Sequence, residues 1–159
     1  MNISDALVVA LVTIVTNFLV QLFFKYRDSS THSKSIKKAI IAEIEAIINI
    51  VEQRNYKEDI NKIIYQLEKN PNSRFSFSID INKDIFPVYS HNLDKIGSLD
   101  GELAKQVVTF YSLLSSVIQD VKVGGILNNK EYGTLENFKN LRVLLTKALE
   151  LGNNIKNSK

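Results

Sequence analysis

The chain contains no cysteine and only two histidines, His32 and His91, among its 159 residues. Without thiols there are no disulfides, no thiolate metal sites and no cysteine nucleophile. Two histidines cannot make a His-rich metal site. Also missing are a glycine-rich phosphate loop, a paired-carboxylate site and an HExxH motif. No internal repeat and no second domain is visible. These absences point to a protein without catalytic residues, metal or cofactor. A further absence concerns charge. No Lys or Arg precedes Lys25, and the only acid there is Asp5. Of the 17 acids, 16 therefore follow Phe24, against all 20 bases, a net charge of +4 on that part. So mild an excess suits an anionic membrane surface or a small anionic ligand. A long nucleic acid would call for a dense basic stripe.

What is present begins with a long apolar run. Ala6 to Phe24 is uncharged over 19 residues. At about 1.5 Å per residue it covers about 28 Å, the thickness of a bilayer's hydrocarbon core. The span Ile3 to Phe24 is accordingly expected to form one transmembrane helix. A secretory signal would have a basic start and small residues at a cleavage site; here Asp5 stands at the start, and Phe23, Phe24, Lys25, Tyr26 and Arg27 at the end. Lys25, Arg27, Lys34, Lys37 and Lys38 flank the run on its C-terminal side, which the positive-inside rule places in the cytoplasm, with the N-terminus outside. Thr13, Asn17 and Gln21 recur every four residues and so share one sector of the helix, beside Thr16. Polar groups at membrane depth face another helix or water, which makes these three an expected self-association or pore-lining face.

The remainder reads as mainly α. Residues 1–27 form the anchor and 28–35 a Ser-rich juxtamembrane linker, with Ser33 or Ser35 as N-cap. Residues 36–155 form a helical-bundle domain. Asn153 to Lys159 is expected to fray, with 156–159 as a tail beyond the domain. Ile36, Ile40, Ile44, Ile47 and Val51 give an amphipathic helix, and Ile60, Ile63, Ile64 and Leu67 a second one, with a break or soft spot at Arg54 and Asn55. Asn70-Pro71 ends the second. Phe75, Phe77, Ile79 and Ile81 alternate with polar residues, as in a strand or an extended loop pinned by two Phe. A strand there would need an outside partner, such as a neighbouring subunit. Asp84 to Gly97 reads as a short helix with Pro87 in its first turn. From Asp100 onward Leu103, Val107, Phe110, Leu114, Val117 and Val121 make a continuous seam for another helix, which Gly124-Gly125 ends. A last helix runs from Lys130 to Ile155, with Leu135, Phe138, Leu141, Leu145, Ala148 and Leu149 inward. The seam and the unpaired extended stretch together lead to the expectation of a homo-oligomer.

Two local patterns bear on chemistry. Arg27-Asp28-Ser29-Ser30-Thr31-His32 matches the Arg-x4-His pattern of HEPN-type ribonucleases. It lies before the first soluble helix, though, where its bases would meet lipid headgroups instead. His91 and Lys95 are four apart and share a helix face, as do Ser90 and Asp94. His91, Asn92 and Lys95, with Arg74 and Lys83 flanking the alternating stretch, are the candidate donors to an anionic ligand.

The stretches FPVY (from Phe86), HNLDKIGSL (from His91) and VVTFY (from Val107) resemble small bacterial proteins that join an N-terminal membrane helix to a helical cytoplasmic domain. The whole layout is similar to the membrane effectors of type III CRISPR defence that bind cyclic tetra-adenylate. That resemblance implies a bacterial inner-membrane, oligomeric sensor-effector in antiphage defence, whose cytoplasmic domain takes a cyclic oligonucleotide and perturbs the bilayer. The alternative is a non-catalytic interaction protein at the membrane, such as a superinfection exclusion or immunity factor.

Overall fold

The computed structural model describes residues 19–21, 33–80 and 85–158. The fold is mainly α. The isoleucines at 36, 40, 44 and 48 are all buried, and they make residues 33–53 (α1) amphipathic. A strict spacing of four drifts around a 3.6-residue helix, so the buried stripe slants across it. Ile48 therefore takes the deep position that the 4-3 spacing assigned to Ile47, which packs at the edge of the core with Val51. Residues 33–35 are already helical, so neither Ser33 nor Ser35 stands outside the helix as a cap. The Ser33 hydroxyl instead donates to the Ser98 carbonyl at 2.8 Å.

Asn55 adopts the left-handed conformation, φ 53°, which asparagine tolerates better than most residues. The chain turns there and re-enters a helix, α2 (Tyr56–Lys69), whose buried residues are Ile60, Ile64 and Leu67. Two long helices complete the bundle: α4 (Gly101–Val121) and α5 (Leu135–Asn157). Asp100 caps α4 by accepting from the amides of Glu102 and Leu103, and Thr134 caps α5 through the Asn137 amide. All six seam residues of α4 are buried, and Tyr111 with them. α4 packs on α5 of the same chain, and α5 also packs on α2. Glu45 on α1 reaches Lys156 on α5 at 3.1 Å.

Between α2 and α4 lie the extended segment and a short helix. The segment is a strap and not a strand. Among the described residues its one ladder contact is a parallel bridge, Ile79 to Lys122. The amides of Phe75, Phe77 and Ile79 donate to the carbonyls of Gly133, Leu127 and Val121, at 3.2, 2.8 and 2.8 Å. Phe75, Phe77 and Ile79 pack against the core, while Ser76, Ser78 and Asp80 are exposed. The strand reading is thus corrected: the backbone partners are carbonyls of the same chain, at the end of α4 and in the connection between α4 and α5. The expected single helix over 84–97 is two pieces, α3 (Pro87–His91) and a 3-10 stretch, Leu93–Ser98. The expected fraying from Asn153 does not occur before Asn157, because Gly152 and Ile155 are both buried in the α5 interface. Residues 130–134 are not part of α5; a 3-10 turn, Lys130–Tyr132, precedes it.

No helix among the described residues is long and apolar enough to cross a membrane. The expected span lies outside them except for residues 19–21, which are helical, with Leu19 and Val20 exposed.

Candidate functional site

The five candidate ligand donors do not form one cluster. Thr13 and Asn17 of the membrane face, and Lys83 of the ligand set, lie outside the described residues. Gln21 is exposed. His91, Asn92 and Lys95 share one segment, α3 and the 3-10 stretch after it. Arg74 sits at the other end of α4: its neighbour Phe75 is bound to Gly133, beyond Val121, whereas α3 packs near Tyr111. Ten residues of α4, about 15 Å, separate Tyr111 from Val121. Several of these donors are already engaged locally. The Arg74 guanidinium donates to the carbonyls of Pro71 and Ser73. The Asn92 amide donates to the Val88 carbonyl at 2.8 Å. His91 Nδ1 lies 2.7 Å from the Pro87 carbonyl; a carbonyl only accepts, so the proton is on Nδ1.

What holds α3 in place is Glu43, which the sequence reading passed over. Its Oε1 accepts from the Val88 amide at 2.7 Å, and its Oε2 from the Tyr89 amide at 3.0 Å. A carboxylate on α1 thus caps the first turn of α3 from a distance. The same Oε2 accepts from the Tyr111 hydroxyl at 2.6 Å. Burial first, and then this hydrogen bond, hold the Tyr111 hydroxyl far above its ordinary value of 10.0, so it stays a donor. Tyr89 stacks on Tyr111 with centroids 3.9 Å apart, and Phe86 meets the same ring edge-on at 5.1 Å. The aromatic residues of FPVY and VVTFY therefore meet in space around one carboxylate. Glu43 and the stacked tyrosines thus clamp α3 to α1 and α4.

A cleft of about 330 Å³ lies along the C-terminal half of α4, next to the clamp, with Phe86 among its lining residues. Ile47 and Val51 of α1, Ile60 of α2, Phe77 and Ile79 of the strap, and Val117 of α4 form walls. Its charged and polar lining residues are Arg54, Tyr56 and Asp80. Arg54 and Asp80 are exposed and Tyr56 half-buried, which places them at the mouth. The Arg54 guanidinium donates to the Tyr56 hydroxyl at 3.3 Å. The volume and apolar walls are those of a small-molecule site with a few polar groups to orient its occupant. The only sequence signal for it is the Arg54–Asn55 break, since the walls come from α1, α2, the strap, residues 85–86, α4 and α5. A second hollow between α1, α2 and α5 carries Glu52, Glu58 and Glu150 against Lys57, a balance that repels anions.

Comparison with known proteins leaves the assignment to this geometry: no family model, no curated protein and no solved structure matches the chain.

Proposed function

We propose that the chain is a non-catalytic, membrane-anchored sensor-effector: the helical domain takes a small ligand on the cytoplasmic side and passes the bound state to the membrane segment. The observation that carries this reading is that α1 walls the apolar cleft through Ile47 and Val51 and is also the helix that follows the apolar N-terminal run in sequence. An occupant in the cleft touches α1 directly, and a rigid helix transmits a shift along its length. Leu19 and Val20, helical and exposed, fit an apolar surface facing lipid. The anionic-ligand form of the reading, with a cyclic oligoadenylate among the candidates, rests on His91, Asn92 and Lys95, which one segment presents together. It needs a symmetric oligomer to gather several copies around one ligand.

The second reading is an interaction protein that docks a partner at the membrane. One observation favours it. The α4 seam and the strap, the two features that suggested a partner subunit, are both satisfied within the chain, so neither requires a ring of copies.

The two readings separate in cells carrying the full chain and challenged with phage. A sensor-effector lowers the membrane potential on infection, measured with a voltage-sensitive dye. A triple variant, Thr13→Leu, Asn17→Leu and Gln21→Leu, keeps length and apolarity but loses the polar face. It is expected to remain in the membrane fraction and to leave the potential intact. Equal depolarisation by parent and variant would reject the effector role of the polar face, and no depolarisation by the parent would favour the docking reading.

A further inference from the structure

We propose that the cleft binds a single-chain fatty acid, its alkyl chain lying among Val51, Phe77 and Val117 and its carboxylate meeting Arg54 and Tyr56 at the mouth. The inference deepens the sensor reading above and rests on it for the source of the ligand, the inner leaflet of the bilayer. Three observations lead to a fatty acid. The walls are aliphatic and aromatic on α1, α2, the strap, residues 85–86, α4 and α5, so the occupant's body is apolar. The volume, about 330 Å³, is at the low end for small-molecule sites, which favours one chain over two. Among the described residues Arg54 is the one base in the lining, and its contact to Tyr56 sets a guanidinium beside a phenol. With the phenol oxygen accepting from Arg54, its own proton is free to be donated outward, so two donors converge on an incoming carboxylate. Among the described residues Asp80 is the one acid of the lining. It repels the carboxylate from the strap side of the mouth and so biases the head towards Arg54.

Transfer of the chain from bilayer to cleft exchanges one apolar surrounding for another, so each methylene contributes little to the preference. Selectivity then falls on the head. A fatty acid gains the Arg54 contact, whereas the corresponding alcohol does not. The site is therefore responsive to the free acid level in the membrane, as a sensor requires. Its occupant lies against Val51, next to the Arg54–Asn55 turn that joins α1 to α2.

The test uses the full chain in native membranes, a palmitate carrying a diazirine near its chain end, and mass-spectrometric mapping of the adducts. Adducts are expected on peptides holding Phe77 and Val117, in addition to adducts on the N-terminal apolar run. Arg54→Ala, an exposed change that leaves the helices intact, lowers the cleft adducts about fivefold, the size of a partly solvated charge-assisted contact. It leaves the N-terminal adducts unchanged. The diazirine alcohol of equal length labels the cleft no better in the parent than in Arg54→Ala. Labelling confined to the N-terminal run would overturn the cleft site. Cleft labelling equal for acid and alcohol, and indifferent to Arg54, would overturn the carboxylate assignment. Cleft labelling without any on the N-terminal run would uphold the site and overturn the membrane anchor instead.

Discussion

At the scale of single residues, Glu43 decides the position of α3. Replacing it with Ala leaves the Val88 and Tyr89 amides and the Tyr111 hydroxyl without their acceptor. Partly buried donors so orphaned cost about 2 kcal/mol together once water relaxes around them. Melting of the detergent-solubilised full chain, followed by far-ultraviolet circular dichroism, should then fall by about 4–8 °C. Tyr111→Phe removes one of the three bonds and should cost about 1 kcal/mol, roughly half the effect; a larger loss for Tyr111→Phe than for Glu43→Ala would contradict the clamp. Gly133 is a second such residue. A Cβ there would collide with the carbonyl oxygen of Phe75, so Gly133→Ala should release the strap. Chymotrypsin should cleave the variant at Phe75 and Phe77 faster than the parent, and equal cleavage would show that the strap does not depend on this close approach. Neither residue was legible in the sequence. Glu43 reads as one more polar position between Ile40 and Ile44, because its partners are 45 to 68 residues away. Gly133 reads as an ordinary turn glycine, because the backbone it accommodates comes from another part of the chain.

Among the elements, helices with a regular apolar face were readable and their partners were not. The α4 seam was identified residue for residue, since six apolar positions at alternating four and three spacing leave one face to bury. Its partner, α5 of the same chain, was not, because a seam specifies a complementary face and not which chain supplies it. Tyr111 joined the buried set unannounced, since the Glu43 carboxylate makes a phenol acceptable there. The α4–α5 contact can be tested at Gly152, where a Cβ would approach Phe110 Cε2 to 2.6 Å and Ile48 Cδ1 to 2.9 Å. Gly152→Ala gains about 1 kcal/mol of helix propensity but overpacks two fully buried side chains, which costs about 1–3 kcal/mol. The net expectation is a lowered melting temperature. Gly101→Ala, with open space around the added carbon, serves as the neutral control, and a stabilised Gly152→Ala would contradict the packing. The α2–α5 contact carries a surface pair, Lys139 to Glu68 at 2.8 Å. The Lys139 hydrogen bond holds the Glu68 carboxyl below its ordinary value of 4.5. A lowered folded-state value means the contribution is present above pH 4.5 and is lost as pH falls through the folded value. Comparing parent with Lys139→Gln, the difference in melting temperature should be small at pH 7, shrink in high salt and diminish as pH is lowered below 4.5. A difference that grows on acidification would refute the pairing.

For the whole molecule, the account joins an apolar N-terminal run to a helical domain with a cleft beside α1. The run stands out in the sequence by its length and lack of charge; it lies outside the described residues but for 19–21, and its crossing of a membrane is a proposal. The cleft does not stand out in the sequence, since its walls lie on α1, α2, the strap, residues 85–86, α4 and α5, and no local pattern records their meeting. The central claim is that this domain is held at the cytoplasmic face by the run before it. The absence of cysteine makes a direct measurement simple: Ser115→Cys, at an exposed position on α4, introduces the only thiol of the variant chain. Spheroplasts carrying the full-length variant are treated with a membrane-impermeant maleimide before and after permeabilisation, and the membranes are washed with alkaline carbonate. The account predicts that the protein stays in the washed membranes and that the introduced thiol is labelled only after permeabilisation. Labelling in intact spheroplasts, or release of the chain by carbonate, would contradict it.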